Sequence, residues 1–266
     1  MADNRRPLPA ETDAVRHGEV ESLATQVLSA LAQRSGHSGQ ALDEAVLANF
    51  CANILRGGTA IRTDSVAELR RQGINVATVL DGYIPAAARE LGDRWCRDEL
   101  SFADVTIGVA RLQAILRELG DPWIIDAMAA ADVPNIMLIV PLEEFHTLGG
   151  MTAASQLRRM GLSVCLCLGQ SEDEILQKVA TRKFDMIAVS VSCGQRLSSA
   201  RDLIERLRMA LPRPVPIVVG GLAVEGTEDL CTVTGADYAT SDPKEALRLC
   251  GLKAPAQNAP ERTARG

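Results

Sequence analysis

Of the three histidines in the chain, His146 stands in a spacing that can do chemistry: Glu144 comes two residues before it, and Gly149 and Gly150 follow. A carboxylate so placed can accept the Nδ1 hydrogen of the imidazole, which fixes the tautomer and leaves Nε2 free to bind a metal. The two glycines let the backbone approach something large. These residues are positioned by the stretch just before them. Ile136 to Val140 are consecutively apolar, more than a half-buried alternating strand needs, and the run predicts a strand over 136–142 inside a parallel sheet covered on both faces. His146 then falls in a polar loop just past the carboxyl end of that strand, where open α/β sheets place ligands.

The loop resembles the Asp-x-His-x-x-Gly motif of cobalamin-binding domains, here Glu144-Phe145-His146-Thr147-Leu148-Gly149. It departs at the first position, where Glu144 adds a methylene between backbone and carboxylate. Val189-Ser190-Val191-Ser192 ends a second apolar run where the family has Ser-x-Leu, and Val219-Gly220-Gly221 ends a third where it has Gly-Gly. The resemblance implies cobalamin as cofactor, adenosylcobalamin or hydroxocobalamin. It implies His146 as the lower cobalt ligand in place of the cofactor's own dimethylbenzimidazole, oriented by Glu144 and flanked by Thr147 and Gly149. Ser190, Ser192, Gly220 and Gly221 are implied to line the tunnel for the displaced nucleotide tail.

Beyond the motif, strands predicted over 136–142, 163–168, 185–192, 215–219 and 236–239 alternate with helices over 150–160, 171–182, 196–210, from near 227, and over 243–250. Strict alternation predicts a Rossmann-like, doubly wound parallel α/β sheet. Upstream, the pattern is helical. Leu42, Val46, Phe50 and Ile54 recur every four residues, and Phe102, Val105, Val109, Leu112, Leu116 and Leu119 form another one-sided apolar stripe. Helices over 63–71 and 75–95, the latter bent near Gly82 and Pro85, complete a predicted four-helix bundle. The expected organisation is an N-terminal helical extension over 1–39, a helical-bundle cap over 40–120, a cobalamin-binding domain over 134–252 and a disordered tail over 253–266.

A net charge of −6 and a pI near 5.2 argue against independent DNA binding, because phosphate contacts demand a basic face. Seven cysteines without Cys-x-x-Cys spacing predict reduced thiols rather than a disulfide framework or a zinc site, and Cys165 and Cys167 share one face of a predicted strand. No apolar run reaches the ~18 residues of a membrane span and the N-terminus lacks a signal-peptide core, so a cytoplasmic protein without membrane contact is expected.

Asp81 to Pro85, Glu90 to Trp95 and Glu99 to Ala103 look like the helical cap that covers the upper face of cobalamin in methionine-synthase-like modules and in light-sensing regulators. That resemblance implies Trp95 over the upper cobalt face. Val105 and Thr106 stand where the photoreceptor cap has a Glu-His pair, so no upper histidine comes from that helix. His17 and His37 are the other histidines in the chain, and His17 is the candidate upper ligand. Cap plus cobalamin domain, with no room for a substrate barrel, look most like the AerR/PpaA group of bacterial photosynthesis regulators. The group implies light-dependent cobalamin binding and a non-enzymatic antirepressor of a CrtJ/PpsR-type repressor, touching DNA only through that partner. The alternative is a corrinoid methyl carrier serving separate methyltransferases.

Overall fold

The computed structural model describes residues 42–56, 59–120, 133–227 and 229–255. The expected N-terminal helix, His17, His37, the Ala-rich stretch over 121–132 and the end of the tail lie outside the described residues.

Four helical segments form the bundle. Helix α1 (Glu44–Arg56) starts on Asp43, whose carboxylate accepts from the Ala45 and Val46 amides, and it buries Phe50, Cys51 and Ile54. Helix α2 (Thr59–Arg71) adds Val66 and Leu69 to the same core. The third segment is interrupted: α3 (Val76–Thr78) runs into a π-helical turn (Val79–Tyr83) and then α4 (Ile84–Cys96). The bend expected near Gly82 and Pro85 takes this form because proline lacks an N–H and its ring crowds the carbonyl four residues earlier. The wider turn, closed by the Ile84 amide on the Val79 carbonyl, relieves that crowding. Helix α5 (Phe102–Leu119) opens on a capping box in which Ser101 and Asp104 bond each other's backbone amides.

The apolar stripe of α5 is not buried along its whole length. Leu112, Ile115 and Leu116 are in the bundle core, whereas Phe102 at the amino end is 70% exposed. Phe102, Thr106, Val109 and Gln113 recur at steps of four and three and therefore share one face of α5.

The second half is a five-stranded parallel sheet in the order β2-β1-β3-β4-β5. The strands are β1 (Asn135–Val140), β2 (Ser163–Leu168), β3 (Met186–Ser190), β4 (Ile217–Gly220) and β5 (Tyr238–Ala239). The helices between and after them are α6 (Thr147–Arg159), α7 (Glu172–Thr181), α8 (Leu197–Ala210), two short pieces α9 (Ala223–Gly226) and α10 (Leu230–Thr234), and α11 (Pro243–Leu249). Side-chain parity explains the unbroken apolar run of β1. Met137 and Ile139 pack with Ile175, Val179, Ile204 and Leu207 of α7 and α8. Ile136, Leu138 and Val140 pack with Ala154 and Leu157 of α6 and Leu247 of α11. Cys165 and Cys167 lie buried on one face of β2.

From β1 the chain crosses over α6 to β2 on one side; from β3 it crosses over α8 to β4 on the other. The carboxyl ends of β1 and β3 therefore flank the point where the winding reverses, the usual ligand crevice of such sheets. Helix α6 also joins the two halves of the molecule, because Leu148 and Met151 belong to the bundle core. Among the described residues no helix is long and apolar enough to cross a membrane.

Candidate functional site

After β1 the chain turns at once: the Glu144 amide donates to the Pro141 carbonyl and the Thr147 amide to that of Phe145. This tight turn folds the Glu144 side chain inward, to 5% exposure. Oε1 accepts from the His146 backbone amide at 2.8 Å and lies 3.0 Å from His146 Nδ1. Oε2 accepts from the Ser192 amide at 2.9 Å, across the crevice from the end of β3. The extra methylene relative to aspartate thus does not prevent contact with the imidazole. Burial alone would raise the Glu144 pKa, but the hydrogen bonds from His146 and Ser192 and the His146 backbone amide overcome it and hold the carboxyl at about 2. Glu144 is therefore a buried anion that fixes the histidine and ties two loops together.

His146 occupies the N-cap position of α6 without capping it by its side chain, and its side chain is 55% exposed. With Nδ1 turned to Glu144, Nε2 is the atom that could take a metal. No group of three or more His, Cys, Asp or Glu side chains capable of holding a metal occurs among the described residues. The donor set therefore suits a metal that arrives in its own macrocycle and needs one protein ligand. Gly149 fits that use, since a Cβ built there has nothing within 4 Å.

Gly150 serves the fold instead. A Cβ there would sit 2.4 Å from Val140 Cγ2, so glycine lets α6 lie against β1. Both glycines lie inside the first turns of α6, which starts three residues before the expected 150.

The tunnel candidates meet at the neighbouring strand ends. Ser190 pairs with Gly220 across β3 and β4, and Ser192 is 8% exposed. Gly221 has φ +94, and a Cβ on it would be 2.5 Å from the Val191 carbonyl oxygen. A Cβ on Gly220 would stand 3.0 Å from the Thr240 carbonyl oxygen. The protein's own backbone thus already requires small residues here. Trp95 lies half-buried in the last turn of α4, edge-on to Phe102 with ring centroids 6.1 Å apart. His17 lies outside the described residues.

Sequence reasoning missed two supports of the site. Arg196 bonds Glu143 at 2.8 Å, a second strap from the loop after β1 to the turn after β3. Gln113 of α5 donates from Nε2 to Thr147 Oγ1 at 2.8 Å, beside the histidine. A signal existed for Gln113, a polar residue beside Leu112 and Leu116 on an apolar helix. That contact also orients α5. Gln113 shares its face of α5 with Val109, Thr106 and Phe102.

Residues 134–248 match the B12 binding domain family. An "uncharacterized 20.5 kDa protein in bchF-crtJ intergenic region" of Rhodobacter capsulatus is 33% identical over 175 residues, which cover 66% of this chain and 91% of that protein. The HTH-type transcriptional repressor CarH of Myxococcus xanthus is 34% identical over 91 residues, 34% of this chain and 30% of CarH. Among solved structures, the monomethylamine corrinoid protein of Methanosarcina barkeri superposes with a TM-score of 0.58 at 14% identity, over 77% of this chain and 94% of that one, a likeness of fold. The Glu144–His146 pair at the switch point and these relatives converge on cobalamin as the cofactor, and the chain belongs to the AerR/PpaA-type family of B12-binding-domain proteins that includes the Rhodobacter capsulatus protein.

Proposed function

We propose that the chain is a cobalamin-dependent, light-responsive transcriptional regulator, an antirepressor of a CrtJ/PpsR-type repressor, with His146 as its lower cobalt ligand. The observation that carries the ligand role is the Glu144 geometry, an anion holding Nδ1 at 3.0 Å while the ring stays open to solvent. When bound, cobalamin supplies a cobalt–carbon bond that light can cleave. The chain's own residues do the rest. Glu144 orients His146, and Gly149 leaves room beside it. Ser190, Ser192, Gly220 and Gly221 are assigned to the nucleotide tail. Trp95 and the Phe102 face of α5 cover the upper side, and their seat depends on what lies beneath them.

Support for regulation comes from the relatives: one is named for a region beside crtJ, and CarH is named a transcriptional repressor. The acidic chain favours a protein partner, with DNA reached only through it. The coupling required is modest, since a tenfold change in partner affinity corresponds to about 1.4 kcal/mol. No catalytic residue is assigned. The fold shared with a corrinoid protein keeps a methyl-carrier role as the second reading.

The test uses the full chain loaded with adenosylcobalamin in the dark, before and after illumination, added to a purified CrtJ/PpsR-type repressor on its promoter DNA. One light state is expected to weaken repressor–DNA binding, and His146→Ala to remove the effect. Absence of any effect in both states, with methyl transfer to a methyltransferase's acceptor, would establish the carrier reading instead.

A further inference from the structure

Helix α6 has two jobs. Its N-cap residue is His146, and its other face is packed into the bundle through Leu148 and Met151, 8% and 2% exposed. Polar contacts pin it to the bundle at both ends. At the far end Arg159 pairs with Asp81 of the π-helical turn. At the near end the Gln113 amide of α5 donates to Thr147 Oγ1 at 2.8 Å, one residue from the histidine. Between them Thr152, on the same stripe as Leu148 and Ser155, is 7% exposed and its hydroxyl has no hydrogen-bond partner among the described residues. A buried unsatisfied hydroxyl costs the docked arrangement some of its stability. The seat of α6 on the bundle is thus held by polar contacts at its two ends and by apolar packing between them.

We propose that Gln113 is a positioning residue that couples the cap to the lower-ligand helix: its bond to Thr147 sets the first turn of α6 and hence the His146 ring, so that cap seating and histidine ligation strengthen or weaken together. The inference rests on His146 being the lower ligand. The Gln113–Thr147 bond holds the first residue of the helix whose N-cap presents the ligand. A cap displaced from above would release Thr147, and a histidine pulled out of place would loosen the cap. The two effects are one coupling free energy and are reciprocal.

The test compares Gln113→Leu, which keeps volume and loses the donor, with Thr147→Val, Thr147→Ser and the Gln113→Leu/Thr147→Val double variant, all in the full chain. Two readouts are taken: hydroxocobalamin affinity with the absorption signature of histidine ligation, and hydrogen exchange of the amides at 147–151 without cofactor. Gln113→Leu and Thr147→Val are each expected to weaken binding roughly 2- to 12-fold, the factor one net hydrogen bond carries. The double variant should be no worse than the poorer single, since both remove the same bond. Exchange in the first turn of α6 should speed up, and Thr147→Ser, which retains the accepting oxygen, should rescue both readouts. Fully additive losses, or unchanged affinity and exchange in both single variants, would overturn the proposal. If Gln113→Leu does not fold, the contrast between Thr147→Ser and Thr147→Val decides the matter. The underlying reading fails separately: a ligation signature that survives His146→Ala would show that His146 is not the ligand, whatever Gln113 does.

Discussion

Replacing Glu144 by glutamine probes the site's electrostatics with almost no change of shape. The carboxylate takes three hydrogen bonds, from the His146 amide, His146 Nδ1 and the Ser192 amide. A glutamine offers one oxygen and sets an NH2 donor against a donor on its other side. Leaving a buried donor unsatisfied costs about 1–3 kcal/mol. The pH dependence gives an independent figure. The folded-state pKa is about 2 against an ordinary 4.5, and each unit corresponds to about 1.4 kcal/mol, so the ionised carboxylate contributes at most about 3–4 kcal/mol. Because the value is depressed on folding, that stability is complete above pH 4.5 and disappears as the pH falls toward 2. Urea unfolding of the cofactor-free protein should therefore show Glu144→Gln less stable by about 1–3 kcal/mol at pH 7, with the gap to the unmodified chain closing between pH 4.5 and 2. A gap that is absent at pH 7, or constant through that window, refutes the buried-anion reasoning.

The adjacent glycines separate cofactor space from fold space. Gly149→Ala should leave the cofactor-free protein as stable or up to about 1 kcal/mol more so, by helix propensity, while Gly149→Leu weakens cobalamin binding. Gly150→Ala should destabilise the cofactor-free fold by about 1–3 kcal/mol through the clash with Val140, as read in the same unfolding assay. For the upper face, illumination of the alkyl-cobalamin complexes of His17→Ala and His37→Ala tests whether an N-terminal histidine captures the released position. A changed cobalt spectrum or cofactor loss in His17→Ala is expected if His17 is the ligand, and unchanged spectra in both variants would leave that position to water.

What was legible in the sequence was contiguous. The run through β1 could be read as a strand covered on both faces because parity alone exposes both sides to packing, and Glu144, His146 and Gly149 sit within one turn of chain. Ser190, Ser192, Gly220 and Gly221 were legible as strand ends, but the reason for glycine at 220 and 221 was not, because it lies in Thr240 and Val191 of neighbouring segments. Gly149 and Gly150 set the expected start of the helix at 150, because glycine usually breaks a helix, whereas α6 begins at Thr147. Here the contact with Val140 requires one of them inside α6. The Phe102 stripe read as bundle core because periodicity reports which residues share a face and says nothing of what that face meets. Gln113–Thr147, Arg196–Glu143 and Arg159–Asp81 join residues far apart in the chain, and no local pattern announces such pairs.

The ligand assignment is tested most directly by electron paramagnetic resonance of the cob(II)alamin complex prepared with protein labelled at histidine with nitrogen-15. If His146 is the lower ligand, the superhyperfine splitting changes from the pattern of nitrogen-14 to that of nitrogen-15 in the labelled chain, and the change is lost in His146→Ala. A nitrogen-14 pattern persisting in the labelled protein would mean that the cofactor's own base, and not this histidine, holds the cobalt.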